Sequence, residues 1–360
     1  MKFVPLESVC EILDSLRIPI TASERTKGPY PYYGANGIQD YVADYIFNDE
    51  LVLLAEDGGN FGSKDRPIAY RVSGKCWVNN HAHVLKPKSM IHVDYLCYAL
   101  MFYDTTGLVN GATRQKLTQA AMRQMQIPLV SMEEQVAIVH KLNRIKELRE
   151  YRETQLQQLD ELAKSRFIEL FGDMLLNNLG WPESQLYTIA DIVSGITKGR
   201  KIRDAELIEV PYMAVSNVKD GYIDWTTVKT IMASKQEIEQ YRLMPYDVLM
   251  TEGGDPDKLG RGAVIINPLK DSIHQNHIFR VRLNNERALP IFFSYYLQQQ
   301  KAKRYFLGCA KQTTGIASIN MKQLRALPVV LPSLELQNEF ATFVEQTDKL
   351  KYCGDLEVVA

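Results

Sequence analysis

Four of the six residues in Lys198-Gly199-Arg200-Lys201-Ile202-Arg203 are cationic. Such a loop can neutralise phosphates, release their counterions and bind polyanions in a salt-dependent way. Its arginines can also read guanine in the major groove through a two-pronged contact. A second group, Tyr30, Tyr32, Tyr33 and Asn36, surrounds Pro29 and Pro31. Tyrosine hydroxyls and asparagine amides bond phosphates or adenine edges; the same tyrosines can equally pack inward. Further cations follow glycine-containing turns. Lys64 and Arg66 follow Gly58-Gly59 and Gly62, and Arg114 and Lys116 follow Gly111. Lys311 stands with Thr313 and Thr314 before Gly315, in the place that Arg114 and Lys116 hold earlier in the chain. Lys301, Lys303 and Arg304 lie on a helix, where they serve equally well as plain surface.

Catalytic patterns fare worse. Transfer of a methyl group to a base amine calls for a glycine-rich cofactor loop and an Asn/Asp-Pro-Pro-aromatic motif. Asn267-Pro268-Leu269-Lys270 lacks the second proline and the ring that would stack on a flipped base. No G-x-x-x-x-G-K-[ST] loop cradles a nucleotide phosphate. Glu252, Asp255, Asp257 and Lys258 have the residue types of a magnesium-dependent nuclease, but acids around Gly253-Gly254 and Pro256 read as a polar turn. Cys76, His81 and His83 match no common zinc spacing, and the alternation around them suits hydrogen bonding at a strand end. The expectation is a chain with no catalytic residue and no metal or cofactor of its own.

Composition sets the frame for these groups. A mixture of 46% hydrophobic and 24% charged residues fits a folded globular protein. With 42 basic against 43 acidic residues the chain is not polycationic, so any hold on nucleic acid must come from local patches. Five scattered cysteines without a C-x-x-C, no apolar run of membrane-spanning length and no signal-peptide core suggest the cytoplasm and no membrane.

The elements that must position these residues occur twice. Glu56-Asp57-Gly58-Gly59 returns as Thr251-Glu252-Gly253-Gly254, and Asn80-His81 as Asn276-His277. The segment from Ile127 to Gln135 returns as that from Val329 to Gln337. The order is kept at a period of roughly 200 residues, with the small drift that loop insertions produce. In each copy an apolar strand (Leu51–Leu54; Val248–Met250) runs into the Gly-Gly turn. An aromatic-rich helix (93–102; 290–297) and a proline-containing exit follow. Ser131 or Ser333 then caps a helix.

The helix after the first copy has neither proline nor glycine from Glu133 to Phe171. Its apolar or stem-like positions recur at 3,4 spacing through Leu142, Ile145, Leu156, Leu159 and Leu170, the pattern of a coiled-coil seam. The helix after the second copy, with Phe340 and Val344, is the candidate partner and is expected to stop at Gly354. Two similar units joined by antiparallel helices would have an approximate two-fold axis within one chain. Duplex DNA shares that symmetry. The units differ in sequence, so the half-sites they read can differ.

At this point the chain resembles the specificity subunit of type I restriction–modification systems over nearly its whole length. The resemblance rests on the segment Gly28 to Gly37 and Glu56-Asp57-Gly58-Gly59 in the first copy. In the second it rests on Ser194-Gly195-Ile196-Thr197-Lys198, Val215 to Gly221 and Gln275-Asn276-His277. Both copies end in Met/Leu-x-x-Gln: Met132-Glu133-Glu134-Gln135 and Leu334-Glu335-Leu336-Gln337. The resemblance implies an α+β architecture with target-recognition domains at 1–130 and 184–330. A long helix at 131–172 and a short one at 333–353 would pair as an antiparallel coiled coil. It further implies a non-catalytic subunit that reads a bipartite, asymmetric site in double-stranded DNA and holds methyltransferase and restriction subunits. S-adenosylmethionine, ATP and magnesium would belong to those partners. The short last helix keeps two alternatives open: a truncated or recombined subunit that binds DNA but assembles poorly, and a coiled-coil adaptor with no DNA role.

Overall fold

The computed structural model describes residues 2–111, 114–200, 206–255, 259–313 and 316–356, leaving aside the side chains of 312, 313, 316 and 352–356. The chain divides into two compact units at Arg152/Glu153. Both are α+β.

The first unit is built on a six-stranded sheet. Its order is Cys10–Ile12, Ala82–Pro87, Phe47–Ala55, Ala69–Val78, Lys27–Gly34, Gly37–Val42. Residues Leu51 to Ala55 are all fully buried because this central strand is covered on both faces. Alternation divides them. Val52 and Leu54 face a core with Leu6, Leu96 and Leu100, supplied in part by the helix Val93–Met101. Leu51 and Leu53 face a second core with Phe47, Val72 and Val84. Both sides are apolar, so the strand reads as an uninterrupted run.

The second unit has a four-stranded sheet in the order Ala190–Ser194, Ile278–Leu283, Val248–Thr251, Gly262–Val264. Of the apolar run Ala263 to Ile266 only the first two residues are in a strand, Gly262–Val264. The same unit has a separate three-stranded sheet in the order Lys229–Ser234, Leu207–Met213, Ile273–His274.

Both units close alike. Lys2–Pro5 pairs antiparallel with Gln126–Leu129, and Glu183–Gln185 with Pro328–Val330. Tyr95 donates its hydroxyl hydrogen to the Pro128 carbonyl at 3.0 Å, and Tyr296 does the same to Pro328 at 2.6 Å. The repeated Met/Leu-x-x-Gln has a structural meaning here. Gln135 is fully buried. Its amide donates to the carbonyls of Met90 and Val130, and its carbonyl accepts from the backbone of His92, the N-cap of the helix Val93–Met101. Gln337 donates to the Pro332 carbonyl and accepts from Leu289, the N-cap of the helix Pro290–Leu297. One glutamine thus satisfies an orphaned helix-end donor and ties two helices together.

The long helix runs Met132–Phe171, 40 residues, behind a capping box in which Ser131 and Glu134 exchange hydrogen bonds. The last helix, Leu334–Leu356, is 23 residues long and passes through Gly354. The expected stop there is wrong, since one glycine costs a helix only about 1 kcal/mol. In the second unit the two helices run antiparallel. Asp160 pairs with Lys351 at 2.7 Å and Arg166 with Glu339 at 2.5 Å. Ala163, Phe167 and Phe171, spaced by four, are buried. Phe167 lies 5.3 Å from Phe340 and 5.6 Å from Phe292, centroid to centroid.

The seam read from sequence needs correction. Leu170, Phe340 and Val344 join this core, but Leu142, Leu156 and Leu159 are only half-buried and Ile145 is 62% exposed. Among the described residues no helix is long and apolar enough to cross a membrane.

Candidate nucleic-acid interface

In each unit the buried central strand delivers an acid and two glycines to the surface, and a β-hairpin closes over them. In the first unit Leu117 donates to the Glu56 carbonyl at 2.7 Å and Gly58 to that of Gln115 at 3.0 Å. The hairpin is Val109–Asn110 with Lys116–Leu117. In the second, Gly253-Gly254 pairs with Ser318 and Ala317 of the hairpin Lys311–Thr313/Ile316–Ser318, and Ile319 donates to the Glu252 carbonyl at 2.8 Å. A side chain at Gly253 would press on the Ala317 carbonyl, and Gly58 holds φ +68°. These two sites need glycine for room and for a left-handed turn.

Polar groups converge on the first hub. Asn36 donates to the Gly58 carbonyl at 3.0 Å. Arg114 pairs with Asp57 at 2.5 Å and lies 3.4 Å from His81 Nδ1. Lys116 pairs with Glu56 at 3.1 Å. The side chains of Arg114 and Lys116 are 59% and 52% exposed, so their donors remain open to a ligand. Beneath lies a buried layer. His83 Nδ1 meets Asp14 at 2.6 Å, its Nε2 meets the Leu117 carbonyl at 2.9 Å, and Arg17 reaches Glu56 at 2.6 Å. Burial pushes the Asp14 carboxyl up, but hydrogen bonds from His83 and the Val84 amide outweigh it and hold it below its ordinary value. Asp14, Glu56 and His83 converge closely enough to hold a metal ion. However, Arg17 and Lys116 already supply the positive charge, and both His83 nitrogens face oxygens. The arrangement suits a support for the hairpin.

The second hub carries His277, whose Nδ1 lies 2.5 Å from Glu252 and whose Nε2 lies 3.3 Å from the Asn276 amide. Lys311 stands exposed on the hairpin. Thr313 is on the same strand with its side chain outside the described residues, and Thr314 lies outside them altogether, as do Lys201, Arg203, Asp257 and Lys258. Gly195 lets its strand pass close to the His274 carbonyl, which would clash with any Cβ. The loop thereby starts at Ile196, and Lys198 beyond it is exposed.

Several of the residues offered for DNA contact from sequence have partners within the protein. Arg200 is held by Glu237 through two hydrogen bonds of 2.5 and 2.7 Å and also caps the Met232 carbonyl. That guanidinium pulls the Glu237 carboxyl down to about 2. Arg200 is a structural clamp, because a loop cation next to a helix N-terminal glutamate is captured by it. Tyr32 is 1% exposed, under the Arg25 guanidinium at 4.2 Å, because sheet alternation turns it inward. Tyr33 leans on Tyr70 at 5.7 Å. Tyr30 stays half-exposed against Tyr45 at 5.0 Å, with the Lys75 ammonium over both rings. Lys64 and Arg66 are exposed, with no ion-pair partner among the described residues. Sequence reading gave Asp57, His81 and Lys75 no part in DNA contact. The recurring Asp/Glu-Gly-Gly and Asn-His pairs were the available signal for the first two.

A family model described as the type I restriction modification DNA specificity domain matches residues 1–161 and 178–352. A putative type I restriction enzyme specificity subunit of Haemophilus influenzae is 38% identical over 139 residues. That alignment covers 39% of this chain and 36% of the relative, so the chain spans about a third of that protein's length there. The EcoKI specificity subunit of Escherichia coli is 23% identical over 88% of this chain and 75% of its own length. The crystal structure of a type I system S subunit from M. genitalium superposes with a TM-score of 0.57 at 15% identity, covering 99% of this chain and 92% of that one.

Proposed function

The chain belongs to the type I restriction–modification DNA specificity family, and from that premise we propose that it is the sequence-reading and scaffold subunit of such a complex. Each unit would read one half of a bipartite site in double-stranded DNA, and the two halves would differ because the units do. The observation that carries this is the repeated hub. An acid–Gly–Gly strand end, an Asn-His turn and a hairpin bearing cations recur in two units whose surrounding sequences differ. Lys64, Arg66, Arg114, Lys116, Lys198 and Lys311 offer the phosphate contacts that would set position on the duplex.

The chain itself would be non-catalytic. Methyltransferase and restriction subunits would bring S-adenosylmethionine, ATP and magnesium, and the assembly would work in the cytoplasm, where the DNA is. The helices Met132–Phe171 and Leu334–Leu356 are the surfaces offered to those subunits. The test maps modified adenines in cells with and without the chain. Modification confined to one asymmetric bipartite sequence, and lost with the chain, is expected. Modification that ignores the chain contradicts the reading, and binding indifferent to salt and sequence would instead fit an adaptor.

A further inference from the structure

Arg114 and Asp57 form a pair that the second hub does not repeat. The hubs align on two backbone hydrogen bonds, Leu117 to the Glu56 carbonyl and Ile319 to the Glu252 carbonyl. Three residues before Leu117 stands Arg114, and three before Ile319 stands Ile316. Asp57 follows Glu56, whereas Gly253 follows Glu252. The pair is no part of the shared plan, and what the units do not share in the proposed role is the sequence each reads.

The way the guanidinium is held says what it can read. Its Nε donates to Asp57 Oδ1 at 2.5 Å, and its Nη2 lies 3.4 Å from His81 Nδ1. A guanidinium only donates, so Nδ1 accepts in that contact. A Cβ at position 58 would stand 3.3 Å from Nε, so the group sits close over the bare backbone of Gly58. Asp57 and His81 thus take the Nε–Nη2 edge of the plane. Both hydrogens of Nη1 and the outer one of Nη2 are left over, and Nη1 has no partner among the described residues. The parallel pair at the tip is free, on a side chain that is 59% exposed.

A phosphate needs no such orientation, and the Asp57 carboxylate beside the guanidinium would repel it. A guanine edge is uncharged. It presents N7 and O6 side by side as acceptors, while adenine and cytosine place an amine donor in the major groove and thymine a single acceptor. A fork fixed in advance loses little freedom on meeting the two guanine acceptors.

We infer that Arg114 reads a guanine in the major groove of the first unit's half-site through its two terminal nitrogens, with Asp57 as its positioning residue. This sets Arg114 apart from the other exposed cations, which reach phosphates. It deepens the functional reading above and rests on it.

The test takes the full chain assembled with its methyltransferase and selects bound duplexes from a randomised library. The wild type should return a bipartite consensus with a G·C pair at a fixed position of one half-site. Arg114→Lys keeps the charge and loses the fork. It should relax that position alone, with about ten-fold less discrimination and an unchanged salt dependence. Asp57→Asn should relax the same position although it makes the hub more positive, and a merely structural role would not single out one base pair. In the wild type, 7-deazaguanine at that position lacks the N7 acceptor and should cost about ten-fold in affinity. Full affinity there overturns the inference, and that arm needs no variant to fold. A consensus that Arg114→Lys reproduces, or a relaxed position that is not a G·C pair, also overturns it and leaves the DNA-reading role standing. So does uniform weakening across sequences with a shallower salt dependence, the mark of a phosphate contact. No wild-type consensus at all overturns both.

Discussion

At the residue scale the structure separates cations that hold the protein together from cations available to a ligand, a distinction composition cannot make. Arg200 and Lys198 are two residues apart in the chain, yet one is clamped by Glu237 and the other is exposed. Replacing Arg200 with Met should cost about 1–2 kcal/mol of stability by leaving a half-buried carboxylate without its partner, and should leave the salt dependence of DNA binding unchanged. Lys198→Ala should do the reverse, lowering the slope of log affinity against log salt by about one. The clamp also fixes a pH dependence. The Glu237 carboxyl titrates near 2 in the folded protein against 4.5 ordinarily, so its contribution is full above pH 4.5 and disappears as the pH falls towards 2. Denaturant titrations from pH 6 to 2 should show that loss in the wild type and its absence in Arg200→Met. The basic loop was visible in the sequence, but the glutamate that captures one of its arginines stands 37 residues away and belongs to a different element. Which of its two readings Tyr32 follows was hidden for a related reason: only the pairing of its strand fixes which face it occupies.

At the scale of elements, the duplication was legible because short anchors survive where the backbone leaves no choice. Gln135 and Gln337 keep their identity because each answers a helix N-cap donor that no other group reaches. Gln337→Leu should leave the Leu289 N–H buried and unpaired at about 1–3 kcal/mol, and Gln135→Leu should do the same to His92. Urea melts that move by less than 0.5 kcal/mol would contradict this role. The coiled-coil seam was legible only in part. Its 3,4 periodicity located the helix, but periodicity records which faces are apolar and not whether anything covers them. Ala163, Phe167 and Phe171, which carry the packing against Phe340, are set by the aromatic cluster of the second unit. The heptad seam includes Ala163, with Phe167 widening it, but gives Phe171 no place.

At the scale of the whole molecule, two α+β units repeat one plan with different surfaces, the organisation of the DNA specificity family to which the chain belongs. In the proposed role each unit chooses its own half of the target. The most direct measurement exchanges residues 1–130 for the matching segment of a relative and maps the modified adenines that result. A hybrid target is expected, with one half-site replaced and the other retained. A target altered in both halves, or in neither, would contradict it.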